Sequence, residues 1–137
     1  MTIEIKLLLA AILLGLAHIV AMVLVLIYEQ GLKYAMSARD EQRPLGLKAA
    51  RLERAYQNFV HTFPFFAVPV LIAAIMNVHN LPTIYGSELY FCCRVIYIFA
   101  YVFAIPLLRT LIWAGSIAGI VMVIAGVGDS FLTYDMQ

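Results

Sequence analysis

Residues Leu7 to Ile27 form a run of twenty-one residues in which His18 is the only ionisable side chain. About 20 such residues suffice for an α-helix to cross the hydrocarbon core of a bilayer. Three further apolar runs follow, Phe59 to Val78, Leu89 to Leu108 and Leu111 to Val127. Backbone amides in lipid must be satisfied within their own segment, and runs this long achieve that only as helices. A membrane β-barrel would need alternating segments of about ten residues, and the chain has none. Composition agrees: 64% of the 137 residues are hydrophobic and 12% charged, against about 45–50% and about 25% in soluble domains. The expectation is an all-α integral membrane protein, a single domain over 1–137. It is read as a bundle of four transmembrane helices at about 5–28, 46–79, 88–106 and 109–131. The first run exceeds the about 7–15 apolar residues of a signal peptide and ends in no small-residue cleavage site, so it is read as a permanent helix.

Orientation follows from Lys and Arg, which concentrate in loops that stay in the cytoplasm. Six of the nine, Lys33, Arg39, Arg43, Lys48, Arg51 and Arg54, lie between the first two spans. That connection is expected to be cytoplasmic, with both termini on the opposite side. Arg109, at the turn between the third and fourth spans, agrees with this alternation, and Lys6 opposes it. The net charge of +1 gives no electrostatic case for nucleic acid. Cys92 and Cys93 are adjacent in an apolar run and point in different directions on a helix. They are read as packing residues, and no metal site is expected.

Ionisable groups within spans are expensive in lipid and are candidate functional residues. They fall on two stripes. On the second helix Arg51, Arg54, Asn58 and His61 are spaced 3, 4 and 3, which places them on one narrow face. On the third helix Arg94, Tyr97 and Tyr101 repeat the 3 and 4 spacing, and Arg109 closes that helix at the cytoplasmic boundary. Opposed, these stripes would make a cationic, hydrogen-bonding cleft in the cytoplasmic half. Positive-inside anchoring for Arg51 and Arg54, and simple packing for Tyr97 and Tyr101, are the alternative readings. Arg94 lies about 9 Å into its predicted span by the helical rise, with no acidic residue at its level, and so invites an anionic ligand.

The segment Arg51-Leu-Glu-Arg-Ala-Tyr-Gln-Asn-Phe-Val-His-Thr-Phe-Pro-Phe-Phe, followed by Arg94-Val-Ile-Tyr-Ile-Phe-Ala-Tyr101 and Arg109, resembles the MAPEG family. These are membrane-associated proteins of eicosanoid and glutathione metabolism. The resemblance spans nearly the whole chain and implies a bacterial-type member of the inner membrane, assembled as a homotrimer with glutathione held between subunits toward the cytoplasm. It implies a glutathione-dependent transferase or peroxidase acting on lipophilic electrophiles, with glutathione as co-substrate and no metal. Arg51, Arg54, Asn58, His61, Arg94 and Tyr97 match family binding positions, and Arg109 and Tyr101 are implied as catalytic. His61 stands where the family has a glutamate, and Gln57 where some members have an arginine. A neutral imidazole can accept a hydrogen bond from the glutathione ammonium but supplies no negative charge.

Other functions remain open on the residues alone. A non-catalytic member that binds a ligand or serves a structural role is the main alternative. A proton-coupled exporter would need a carboxylate within the membrane, whereas Glu29, Glu53 and Glu88 sit at span edges. A haem carrier would use His18 and His61, although a lone histidine on an apolar helix is usually packed and hydrogen-bonded. Gly115 and Gly119 form a GxxxG pair on the fourth helix, which can serve oligomerisation or packing within a subunit.

Overall fold

The computed structural model describes residues 1–38, 43–102 and 105–134, with side chains at all of these except 101, 102, 106, 131, 133 and 134. Among the described residues the elements are α1 (Ile3–Gln30), a short α2 (Leu32–Ala35), α3 (Leu47–Ile75), α4 (Leu81–Val102) and α5 (Pro106–Tyr134), with no strand. Three helical stretches, Ile3–Gln30, Leu47–Ile75 and Leu107–Ser130, are long and apolar enough to cross a membrane. Their outer faces are apolar: Leu9, Leu13, Leu16, Val20 and Leu24 of α1 are all exposed. Such a surface belongs against lipid rather than water.

The helix boundaries depart from the expected ones where local capping decides them. α3 ends at Ile75 rather than near 79, because Asn77 adopts a left-handed conformation (φ 55°). The Val78 N–H then bonds the Ala73 carbonyl at 2.8 Å and the Asn77 N–H that of Ala74 at 3.3 Å, the Schellman closure of a helix. α4 begins at Leu81 rather than at 88. The Asn80 side-chain oxygen accepts from the Thr83 N–H (3.1 Å) while the Thr83 hydroxyl accepts from the Asn80 N–H (3.1 Å), a reciprocal cap. α4 is described to Val102, and α5 opens at Pro106, earlier than the expected 109. Proline at the first helical position lacks only an N–H that would have had no intrahelical partner. Arg109 therefore stands in the first turn of α5 instead of closing α4, its N–H bonded to the Ile105 carbonyl.

α1 packs on α3 and α4, and α5 packs on α4 and α3. The core is Leu8 and Ala11 of α1, Phe66 and Val70 of α3, Tyr90 of α4, and Ile120 and Val123 of α5. Phe66 and Tyr90 stack at 4.0 Å between centroids. α4 and α5 make the closest pair. A Cβ on Gly119 would lie 2.7 Å from the Gly86 carbonyl oxygen, so the two backbones touch where neither residue carries a side chain. Without a hydrophobic drive between helices in lipid, such close packing is the main cohesive term. The GxxxG pair thus faces α4, since Gly115 approaches Cys93 in the same way.

Candidate functional site

Arg94 is the largest side chain that is fully buried, at 1% exposure. With α4 beginning at Leu81 it lies about 20 Å along that helix, deeper than the sequence alone implied. Its guanidinium is held by neutral groups from two other helices. Nη1 donates to Asn58 Oδ1 of α3 and Nη2 to Ser116 Oγ of α5, both at 2.8 Å. The Ser116 hydroxyl donates to the Trp113 carbonyl at 2.7 Å, which orients its lone pairs toward Arg94. The Tyr90 and Tyr97 rings lie 5.3 and 5.6 Å from the guanidinium carbon, within cation–π range. Arg94 Nε has no hydrogen-bond partner and no carboxylate pairs with the group, among the described residues. The cation is therefore solvated by dipoles and ring faces while its charge remains unneutralised.

A cleft of about 190 Å³ opens beside this cluster, lined by Asn58 of α3, Tyr97 of α4, and Arg109, Thr110 and Trp113 of α5. Four of the expected site residues thus come together: Asn58, Arg94, Tyr97 and Arg109. The remaining second-helix residues divide by their angle around α3. Thr62 is buried, and at 100° per residue Arg51 and Asn58 lie about 20° and 40° from it, whereas Arg54 and His61 lie about 80° and 100° away. Arg51 and Asn58 are accordingly half-buried, and Arg54 and His61 are exposed on the outer flank of the helix. The side chain of Tyr101 lies outside the described residues.

Two residues of consequence escaped sequence reasoning. Apart from the Trp113 indole, Ser116 is the one side chain in Leu111 to Val127 with an N–H or O–H, and that isolation was the available signal. Glu4 is the other. It is 2% exposed at the start of α1, where Oε1 accepts from the Thr83 hydroxyl and from His79 Nδ1, each at 2.7 Å. Asn80 Nδ2 donates to the Gly126 carbonyl at 2.8 Å, so one polar knot ties the start of α1, the start of α4 and the end of α5. Its signal was a carboxylate one turn before an uncharged run. His18 donates from Nδ1 to the Leu14 carbonyl and stacks on Phe59 at 5.8 Å. It is buried between α1 and α3 while His61 is exposed, so the pair does not share a site.

Long apolar helices and an outward-facing apolar surface around a buried arginine define an integral membrane protein. The sequence model of the MAPEG family matches residues 7–128, and the chain belongs to that family. No curated protein and no solved structure matches it.

Proposed function

We propose that the protein is a glutathione-dependent transferase or peroxidase acting on lipophilic electrophiles. In this reading four helices, α1, α3, α4 and α5, cross the membrane with both termini away from the cytoplasm, and three subunits assemble so that glutathione lies between neighbours. One observation carries it. Arg94, deep in the bundle and charged, is met only by neutral partners, and it adjoins a cleft that also receives Arg109. A carboxylate of glutathione would neutralise that charge through charge-assisted hydrogen bonds. Arg51 and Arg54, nearer the α3 terminus, would hold the second carboxylate at the subunit boundary. His61 on the exposed flank would accept from the glutathione ammonium.

A free thiol has a pKa near 8.5, so little thiolate exists at neutral pH, and nearby cations or a hydroxyl donor lower that value. Arg109 and Tyr101 would supply this stabilisation. The thiolate then attacks an electrophilic carbon, forming a C–S bond while the displaced electron pair leaves or takes a proton. In the peroxidase variant two glutathiones become a disulfide as a hydroperoxide is reduced to alcohol and water. A cleft between subunits that opens to lipid suits an apolar second substrate. The family also contains non-catalytic members, and His61 in place of the family glutamate is the feature that favours a binding role alone.

Calorimetric titration of the detergent-solubilised protein with glutathione tests the binding step, and the ultraviolet absorbance of bound thiolate tests its activation. Saturable binding with a thiolate band supports the enzyme. Binding without the band favours a non-catalytic member that binds glutathione, and no binding removes the glutathione reading and leaves a structural role or another ligand.

A further inference from the structure

A second cavity, of about 400 Å³, lies between α1 and α3 beneath the connection that joins them. Its size falls among small-molecule sites, about 300–1,000 Å³. The deep wall is apolar, formed by Met22, Val25 and Leu26 of α1 and Leu52 of α3. Ile19 and Val23 also line it and are 42% and 45% exposed, so the cavity reaches the lipid-facing side of α1. Its polar lining is Tyr34 and Arg43 beside the end of α1, and Glu53 and Tyr56 along α3, where the Tyr56 ring lies 6.1 Å from His18.

Arg43, Pro44 and Gly46, just before α3, are tied to α1 and α2 beside this cavity. The Gly46 N–H donates to Glu29 Oε2 at 2.8 Å, Gln30 Nε2 to the Pro44 carbonyl at 3.1 Å, and the Arg43 N–H to the Tyr34 hydroxyl at 3.2 Å. The Arg43 guanidinium carbon lies 4.8 Å from the Tyr34 ring centroid, so the ring positions the cation. Glu53 of the same lining is half-buried and has no hydrogen bond or ion pair among the described residues. A partly desolvated carboxylate without a partner is costly unless a cation meets it. The cavity therefore offers an apolar body with one positive and one negative group in its lining.

We infer that this cavity binds a zwitterionic phospholipid, with its phosphate on Arg43, its ammonium on Glu53 and one acyl chain along Met22, Leu26 and Leu52. The second chain stays in the bilayer through the opening at Ile19 and Val23. Phosphate on guanidinium and ammonium on carboxylate are both charge-assisted contacts. The lining shares no residue with the Arg94 cleft, so the inference stands apart from the glutathione reading.

Native mass spectrometry of the full chain in mild detergent, offered phosphatidylethanolamine, phosphatidylglycerol and diacylglycerol of identical acyl chains, tests it. The expected result is one phosphatidylethanolamine per chain, retained about tenfold over either competitor, as one charge-assisted contact would provide. Glu53→Gln should abolish the preference over phosphatidylglycerol, and Arg43→Gln should weaken both phospholipids about tenfold. Met22→Trp should fill the apolar wall and lower retention of every lipid while helical circular dichroism is unchanged. Equal retention of the three lipids, preference for phosphatidylglycerol, no retained lipid, or unaltered selectivity in the Glu53 and Arg43 variants would each overturn the inference.

Discussion

The protein buries a charged residue near each end of its helical bundle, and the two are compensated differently. Glu4 accepts through Oε1 from the Thr83 hydroxyl and from His79 Nδ1, each at 2.7 Å, and so ties the start of α1 to the start of α4. Arg94 is surrounded by an amide oxygen, a hydroxyl and two ring faces, none of which carries a negative charge. A charge hydrogen-bonded to another segment of the chain is a fastening. A charge met only by dipoles is held in position with its field unspent, and it lowers the cost of bringing an anion into the same place. On the proposed reading the two ends separate a structural role from a binding role, although both residues are nearly fully buried.

Substitutions can break or sharpen this contrast. The largest effect belongs to Arg94→Ala, which should weaken glutathione about ten- to a hundredfold by calorimetry, the loss of a charge-assisted contact of about 1.5–3 kcal/mol. Glu4→Ala should act in the opposite sense. It removes two hydrogen bonds to a carboxylate and should cost about 2 kcal/mol of stability in thermal unfolding, with glutathione affinity unchanged. Ser116→Ala lies between the two. It should cost about 1 kcal/mol of stability and lower affinity a few-fold, because Arg94 Nη2 loses its partner and its fixed orientation. Lys48→Ala, exposed in the first turn of α3, should change stability by no more than about 0.5 kcal/mol and leave binding untouched.

The two ends also differ in how far they were legible. Arg94 stood out because a cation in an apolar run is rare, and its spacing to Tyr97 is visible on the chain. Glu4 did not stand out, since a carboxylate near a helix start ordinarily faces water. Its burial depends on where α4 begins, and that depends on the Asn80 and Thr83 cap, which the apolar run starting at Leu89 concealed. The shift of seven residues at that end carried Thr83 to Glu4 and set Arg94 deeper than expected. Helical periodicity placed Arg51, Arg54, Asn58 and His61 on one face correctly. It could not say which edge of that face turns inward, because this is decided by Phe59, Thr62 and Phe66 packing on their neighbours. The GxxxG pair was equally ambiguous until Gly86 and Cys93 were found opposite it.

The claim that Arg94 is a binding cation and Glu4 a structural anion is tested most directly by one comparison. Glutathione is titrated calorimetrically into the wild type, Arg94→Ala and Glu4→Ala proteins in the same detergent, below the unfolding temperature of all three. The account predicts wild-type affinity for Glu4→Ala and a loss of about tenfold or more for Arg94→Ala. Equal affinity in the wild type and Arg94→Ala, or an equal loss in both variants, would contradict it.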